Sequence, residues 1–177
     1  MYNEITIKQA ETGDIPIIEE ILLEVVNWLD STDKPMWSKE RVSWQGLKEF
    51  IIDNFYIAYI GDNPAGCMAV VDYDPFIWSD IKKGESLFVH KLAVKRFAAG
   101  QGISDVLLEY AVNKCREKNI KTLRLDTDAN RPKLMKLYEN FGFVCVYKKT
   151  RYVGDKEYYI AYYEYDVNKN SGGVAYD

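Results

Sequence analysis

The stretch LFVHKLAVKRFAAGQGISDVLLE, Leu87–Glu109, decides how the rest of this 177-residue chain is read. It opens as an apolar strand, passes through a small-residue loop holding Gly100 and Gly102, and continues as an amphipathic helix. Strand, glycine loop and helix N-terminus together make a cradle for phosphate. Glycine lets backbone come close to an anion, and the first-turn N–H groups, with the helix dipole, supply positive potential.

Working outward, Ile5–Lys8 reads as an opening strand. Asp14 is placed to cap a helix in which Ile15, Ile18, Leu22, Val25 and Leu29 recur at helical spacing, with Pro16 tolerated in its first turn. DSTDKPMW, punctuated by Pro35, breaks that helix, and Ser38 is placed to cap a second in which Leu47, Phe50 and Ile51 share a face. Phe55–Ile60 and Cys67–Tyr73 form an antiparallel pair around the turn GDNPAG. After the central strand, Ser86–Val94, the helix from Ile103 sets Val106, Leu107, Tyr110 and Ala111 on one side and runs out near Asn119. Thr122–Asp126 is a short strand. Leu134, Leu137, Tyr138 and Phe141 mark a helix with Pro132 at its start and Gly142 just beyond its end. Phe143–Tyr152 and Lys156–Tyr165 are strands around a Gly154-Asp155 turn.

Short turns make the early strands antiparallel, whereas the full helix after the central strand permits a parallel crossover. The expected architecture is α/β (α+β): a mixed, mostly antiparallel sheet of about six or seven strands with helices on both faces. One domain is expected over residues 1–167, with a mobile tail over 168–177.

Composition narrows the function. Hydrophobic residues make up 47% and charged residues 28%, and the net charge of −4 favours neither nucleic acid nor an anionic membrane surface. No apolar run approaches the roughly 20 residues of a bilayer helix, and MYNEITIKQAETGD has no secretory pattern. Cys67, Cys115, Cys145 and the single His90 give neither a metal-site spacing nor a disulfide framework, so no metal is expected and a cytoplasmic location is. The loop is no Rossmann fingerprint, lacking G-x-G-x-x-G and a preceding βαβ half.

The order of elements and two motifs resemble the GNAT superfamily of acetyl-CoA-dependent N-acetyltransferases. The first motif is LAV, a short loop, AGQGIS and an apolar helix (Leu92–Leu108); the second runs from Asn130 through LYENFGF to Phe143. The resemblance implies a GNAT-like fold with a splayed parallel strand pair and acetyl-CoA as acyl donor. The family's pyrophosphate-wrapping places fall on Ala99, Gly102 and Ser104, where Ala99 lacks the usual Arg or Gln side chain and Ser104 replaces Gly or Ala. Backbone N–H groups from Gly100 through Gln101, Gly102 and Ile103 to Ser104 carry most of the grip, and Arg96 or Gln101 is placed to replace the missing contact. The resemblance assigns pantetheine and the thioester to Leu92, Ala93 and Val94, on a strand edge freed by the splay. Asn130 stands one residue further from Tyr138 than in the family, so Asn130 or Arg131 is expected beside pantetheine. Tyr138 resembles the family's general acid toward the departing CoA thiolate.

A place often held by the family's basic glutamate falls on Phe88. His90, two residues on, shares that strand face and has an ordinary pKa of about 6.5, so it is the candidate base, with a structural histidine or a water relay as alternatives. Asp72, Asp74 and Glu85 are candidates to attract a cationic amine, or solvated loop carboxylates. Cys115 reads as packing. The expected activity is acetyl transfer from acetyl-CoA to a primary amine, of a small molecule, by direct attack in a ternary complex. The acceptor is expected between the first two helices, the 73–85 loop and the last hairpin, with Trp28, Trp37 and Trp44 as wall candidates. The rival is a non-catalytic acyl-CoA-binding or sensing domain, kept open by Ala99, Phe88 and the shifted Asn130. Sequence does not decide between monomer and homodimer.

Overall fold

A computed structural model describes residues 4–169. Seven strands form one sheet in the order β1-β2-β3-β4-β5-β7-β6. They are β1 (Ile5–Gln9), β2 (Phe55–Ile60), β3 (Asn63–Val71), β4 (Leu87–Val94), β5 (Thr122–Asp128), β6 (Val144–Val153) and β7 (Lys156–Asp166). The helices are α1 (Ile15–Ser31), α2 (Lys39–Val42), α3 (Ile103–Glu117) and α4 (Pro132–Phe141). The β1–β2, β2–β3, β5–β7 and β6–β7 ladders are antiparallel, and β4–β5 is parallel. The parallel ladder has only two paired positions, Leu87 with Leu123 and Phe88 with Arg124, although both strands run on. This is the mixed sheet with one parallel crossover that the element order implies.

The residues group into two compact units. The first runs to Val70 and takes in His90–Tyr110; the second has Val71–Val89 and resumes at Ala111. In the first, α1 buries Ile18, Ile21, Leu22, Val26 and Leu29, a stripe turned slightly from the expected one. Asp14 precedes α1 but does not cap it with its side chain. Its Oδ2 instead accepts from the Glu11 N–H at 2.8 Å, closing the 3-10 turn Thr12–Asp14, and pairs with Lys8 at 3.2 Å. Ser38 does cap α2, accepting from the Arg41 N–H, but that helix is a single turn. Ser43 turns extended and caps a 3-10 turn, Trp44–Gly46, so Leu47, Phe50 and Ile51 lie outside any α-helix. Leu47 and Phe50 still reach the core, while Ile51 is 63% exposed. The β2–β3 hairpin is tighter than expected: Ile60 pairs with Asn63 and Gly61 takes φ 58°, which leaves Gly61-Asp62 as the turn.

The second unit follows the sequence closely. Pro132 opens α4, Gly142 ends it at φ 124°, and Gly154 turns β6 into β7 at φ 61°. Trp78, Phe88 and Tyr162 form a buried cluster on one sheet face, with Val71, Ile77, Ile81 and Ile160 around it. Asp74 is buried rather than a solvated loop carboxylate. Its Oδ1 accepts from the Ile77 N–H at 3.1 Å and its carbonyl from Trp78, so it caps the loop's own turn. Positions 170–177 of the expected tail lie outside the described residues.

Asp14 yields a test. The Glu11 N–H first, then Lys8, hold its carboxyl below the ordinary value of 3.8. A lowered folded-state pKa contributes stability that is complete above the unfolded value and is lost as pH falls through the folded one. Asp14→Asn is expected to destabilise the protein by about 1 kcal/mol at pH 7 and to flatten the loss of stability below about pH 4. Urea unfolding across pH measures both effects.

Candidate active site

The loop expected to cradle phosphate lies wholly in the first unit. β4 ends at Val94, a 3-10 turn spans Arg96–Ala98, and α3 begins at Ile103. Gly100 and Gly102 adopt φ of 76° and 78°, the left-handed region where a Cβ costs about 1–2 kcal/mol. A Cβ placed on either would meet nothing within 4 Å. The glycines are therefore required by backbone conformation, and the space over them is open. Ile103 anchors the helix start, fully buried, while Ser104 is half-buried and Ala99, Gly100, Gln101 and Gly102 are exposed. The open backbone at the first turn of a fifteen-residue helix fits a phosphate-bearing ligand, which its N–H groups and dipole attract.

The two side chains expected to compensate for Ala99 have other partners. Gln101 donates from Nε2 to the Phe97 carbonyl at 2.8 Å, which ties the loop to its own preceding turn. The Arg96 guanidinium stacks 3.9 Å from the centre of the Trp28 ring. Trp28 belongs to a stripe on α1 that sequence reading did not single out. Glu20, Glu24 and Trp28 follow one another at four-residue intervals, so they share a helix face. Glu24 Oε1 accepts from the Arg96 backbone N–H at 2.8 Å, and Lys95 pairs with Glu20 and, at 3.8 Å, with Glu24. Lys95 is only 12% exposed, so its ion pairs are better shielded than ordinary surface pairs. Three residues of α1 thus grip the two residues that lead into the glycine loop.

β4 carries an irregularity. Lys91 holds φ 53° in the middle of the strand, with its ammonium 4.9 Å from the Trp37 ring centre. Such a residue interrupts the pleat and re-aims the side chains after it. Beyond it, Ala93 is buried and Leu92 and Val94 are half-buried. Gly66 of β3 permits this packing. A Cβ there would sit 2.7 Å from the Ala93 carbonyl oxygen and 2.9 Å from Cγ2 of Ile103. His90 is half-buried, its ring 5.6 Å from Phe50.

The second motif lies in the second unit. Asp128 organises the turn from β5 into α4: Oδ1 accepts from the Asn130 N–H at 2.9 Å and Oδ2 from Nε of Arg131 at 3.2 Å. Asn130 is exposed, and the Arg131 side chain is 13% exposed against that carboxylate. Tyr138 is buried between Phe143 and Tyr163, at ring distances of 6.1 and 5.9 Å. Burial, and then the Asp126 charge, push its hydroxyl well above the ordinary value of 10.0, so it stays a neutral phenol at physiological pH. Burial likewise pushes the Cys67 and Cys115 thiols to about 12, which removes both as nucleophiles.

The close approach at Gly66 gives a stability test. Gly66→Ala forces a methyl against backbone and is expected to cost about 1–3 kcal/mol. Gly102→Ala meets no neighbour and costs about 1 kcal/mol through φ alone. Denaturant midpoints for both variants check the order.

Comparison with known proteins agrees with this geometry. Residues 22–143 match the model of the acetyltransferase (GNAT) family. The chain is 32% identical over 72 residues to the uncharacterized N-acetyltransferase YesJ of Bacillus subtilis strain 168, a match spanning 41% of this chain and 40% of that protein. Among solved structures, a GNAT-family acetyltransferase from Listeria monocytogenes 4b F2365 aligns with a TM-score of 0.72 at 19% identity, over 92% of this chain and 94% of its own. The ribosomal-protein-S18-alanine N-acetyltransferase of Escherichia coli aligns at 0.67 and 17%, covering 93% and 94%. The Salmonella typhimurium yncA protein, solved with its cofactor acetyl-CoA, aligns at 0.64 and 13%, covering 98% and 99%. At these identities the solved structures speak for the fold, and the family match over more than half of the residues speaks for descent: the chain belongs to the acetyltransferase (GNAT) family.

Proposed function

We propose that this protein is an N-acetyltransferase that moves an acetyl group from acetyl-CoA to a primary amine of a small molecule, by direct attack in a ternary complex. The observation that carries this reading is the pair of left-handed glycines opening a long helix beneath open space, in a chain of the GNAT family. No helix among the described residues is long and apolar enough to cross a membrane, which is compatible with the cytoplasmic site we propose.

Acetyl-CoA, when bound, supplies the thioester carbonyl that the amine attacks. The chain's own residues divide the work. The N–H groups of Gly100–Ser104 hold pyrophosphate oxygens, aided by the dipole of α3. Backbone N–H groups of Leu92–Val94 align the pantetheine arm and stabilise the negative charge that grows on the carbonyl oxygen. His90, or a water beside it, accepts the amine proton. Tyr138, kept protonated by burial, returns a proton to the leaving sulfur. With Arg96 stacked on Trp28 and Gln101 on the Phe97 carbonyl, the cradle works through backbone. With Arg131 paired to Asp128, Asn130 is left as the side chain nearer in type to the family's pantetheine contact.

Glu24 is a positioning residue in this scheme, since it fixes the backbone that leads into the cradle without touching the ligand. Glu24→Ala is expected to raise KM for acetyl-CoA about five- to tenfold with little change in kcat, and Glu24→Gln, which keeps an acceptor for the Arg96 N–H, to restore part of it. A purely structural role would lower the yield of folded protein and leave KM alone.

Tyr138→Phe is expected to lower kcat about a hundredfold while acetyl-CoA affinity holds. The assay is CoA release across a panel of primary amines. Tight acetyl-CoA binding with no turnover of any amine, and no effect of Tyr138→Phe, would favour the binding-only alternative.

A further inference from the structure

In the second unit, β5 carries a carboxylate that the assignments above leave unused. Asp126 is half-buried and alternates with the buried Leu125 and Thr127, so it shares a strand face with Arg124. The ladder to β7 continues through it, with Tyr162 opposite, but the parallel ladder to β4 stops at Arg124. From Leu125 onward that edge of β5 has no ladder partner among the described residues.

Two further groups of the same unit gather at that edge. A carboxylate oxygen of Asp74 lies within 4.8 Å of one of Asp126. Asp74 is fixed in place, since Oδ1 accepts from the Ile77 N–H and Oδ2 is enclosed. It adds negative charge behind Asp126 without reaching outward itself. Tyr138 is the other group. It is 6% exposed, its ring is set between Phe143 and Tyr163, and its hydroxyl has no hydrogen-bond partner among the described residues, a rare state for a buried residue. The Asp126 charge acts on that hydroxyl, second only to burial in holding it protonated.

Two carboxylates at such a spacing repel, and a cation beside them turns the repulsion into attraction. The phenol oxygen adds a neutral acceptor. An alkylammonium brings one positive charge and three N–H donors, which suits one reachable carboxylate, one hydroxyl and one further charge behind them. A hard divalent cation suits the set less well, because it takes about six oxygen ligands or more.

We propose that Asp126 binds the acceptor as its alkylammonium ion, held between the Asp126 carboxylate and the Tyr138 hydroxyl, with Asp74 deepening the negative potential. The acceptor class is then a basic alkylamine rather than an arylamine, which is neutral at physiological pH. This role rests on the acetyl-transfer reading, in which Tyr138 protonates the departing sulfur, so a group held at its hydroxyl is held at the reaction. Asp126 keeps the ammonium in place until its proton passes to the base already named, and takes no part in making or breaking the acyl bond.

The test reads binding without turnover, by amide nuclear magnetic resonance on the full chain with saturating CoA, which has no acetyl group to give. Butylamine, protonated at neutral pH, is expected to shift the amide resonances of Asp126 and its β5 neighbours saturably. Asp126→Asn keeps the shape and removes the charge, and is expected to weaken binding at least about tenfold, with Asp126→Glu recovering part of it. Butanol and aniline, both neutral, are expected to bind at least about tenfold more weakly than butylamine. Magnesium is expected to leave the resonances in place. No saturable shift at about 50 mM butylamine, equal binding of butanol, unchanged affinity in Asp126→Asn, or a magnesium shift that excludes butylamine overturns the proposal. The butanol comparison decides alone if Asp126→Asn proves unstable. In CoA release, Asp126→Asn is expected to raise KM for butylamine at least about tenfold and to hold KM for acetyl-CoA within about twofold. Asp126-dependent binding of butylamine with no CoA release from acetyl-CoA would sink the acetyl-transfer reading and leave the ammonium site. CoA release with an unchanged KM for butylamine in Asp126→Asn would sink the ammonium site and leave acetyl transfer.

Discussion

The backbone at Gly100 and Gly102, held at φ of 76° and 78°, is the constraint on which the loop between β4 and α3 depends. Glycine takes those angles without strain, and a Cβ at either position would meet nothing within 4 Å, so the space over the two glycines is open. The rest of the first unit works to keep that backbone in place. Ile103 pins the helix start in the core, Gln101 ties the loop to the Phe97 carbonyl, and α1 grips Lys95 and Arg96 through Glu20, Glu24 and Trp28. A cradle that holds phosphate by N–H groups gains from such pre-organisation, because the ordering entropy is met on folding rather than on binding.

The second unit obeys a different physical rule. Here period-two alternation on β6 and β7 gathers aromatic rings and cations on one face, and Trp78 packs edge-on against the Tyr162 ring. Asp74 supports that packing by capping the loop's own turn, which gives the loop backbone local partners. The two units are built by separate means: backbone conformation shapes the loop of one, and side-chain alternation the strand face of the other.

How much of this could be read from sequence depended on the range of the interaction responsible. Helix α4 was legible from Pro132 and Gly142, and the last hairpin from Gly154, because local backbone chemistry sets those boundaries. The glycine loop was legible for the same reason. The second helix was not. Its apolar spacing resembled a helix, yet a Cβ at Gly46 would lie 1.8 Å from the Glu40 carbonyl oxygen, and the chain folds back on itself at Ser43. A close backbone contact within the segment itself overrode the apolar pattern. The left-handed backbone of Lys91 carries no sequence signal, and the partners of Arg96 lie about seventy residues away on α1. Arg131 could be placed at the family's asparagine position from spacing, but its engagement with Asp128 required coordinates.

Hydrogen exchange of the backbone amides, with and without saturating acetyl-CoA, tests the central assignment most directly, because it reads the N–H groups themselves. Slowed exchange concentrated in Leu92–Val94 and Gly100–Ser104 is the predicted result, with the loop lying at the site of greatest protection. Saturable binding that leaves exchange across Gly100–Ser104 unchanged would contradict it, and would place the pyrophosphate elsewhere on the molecule.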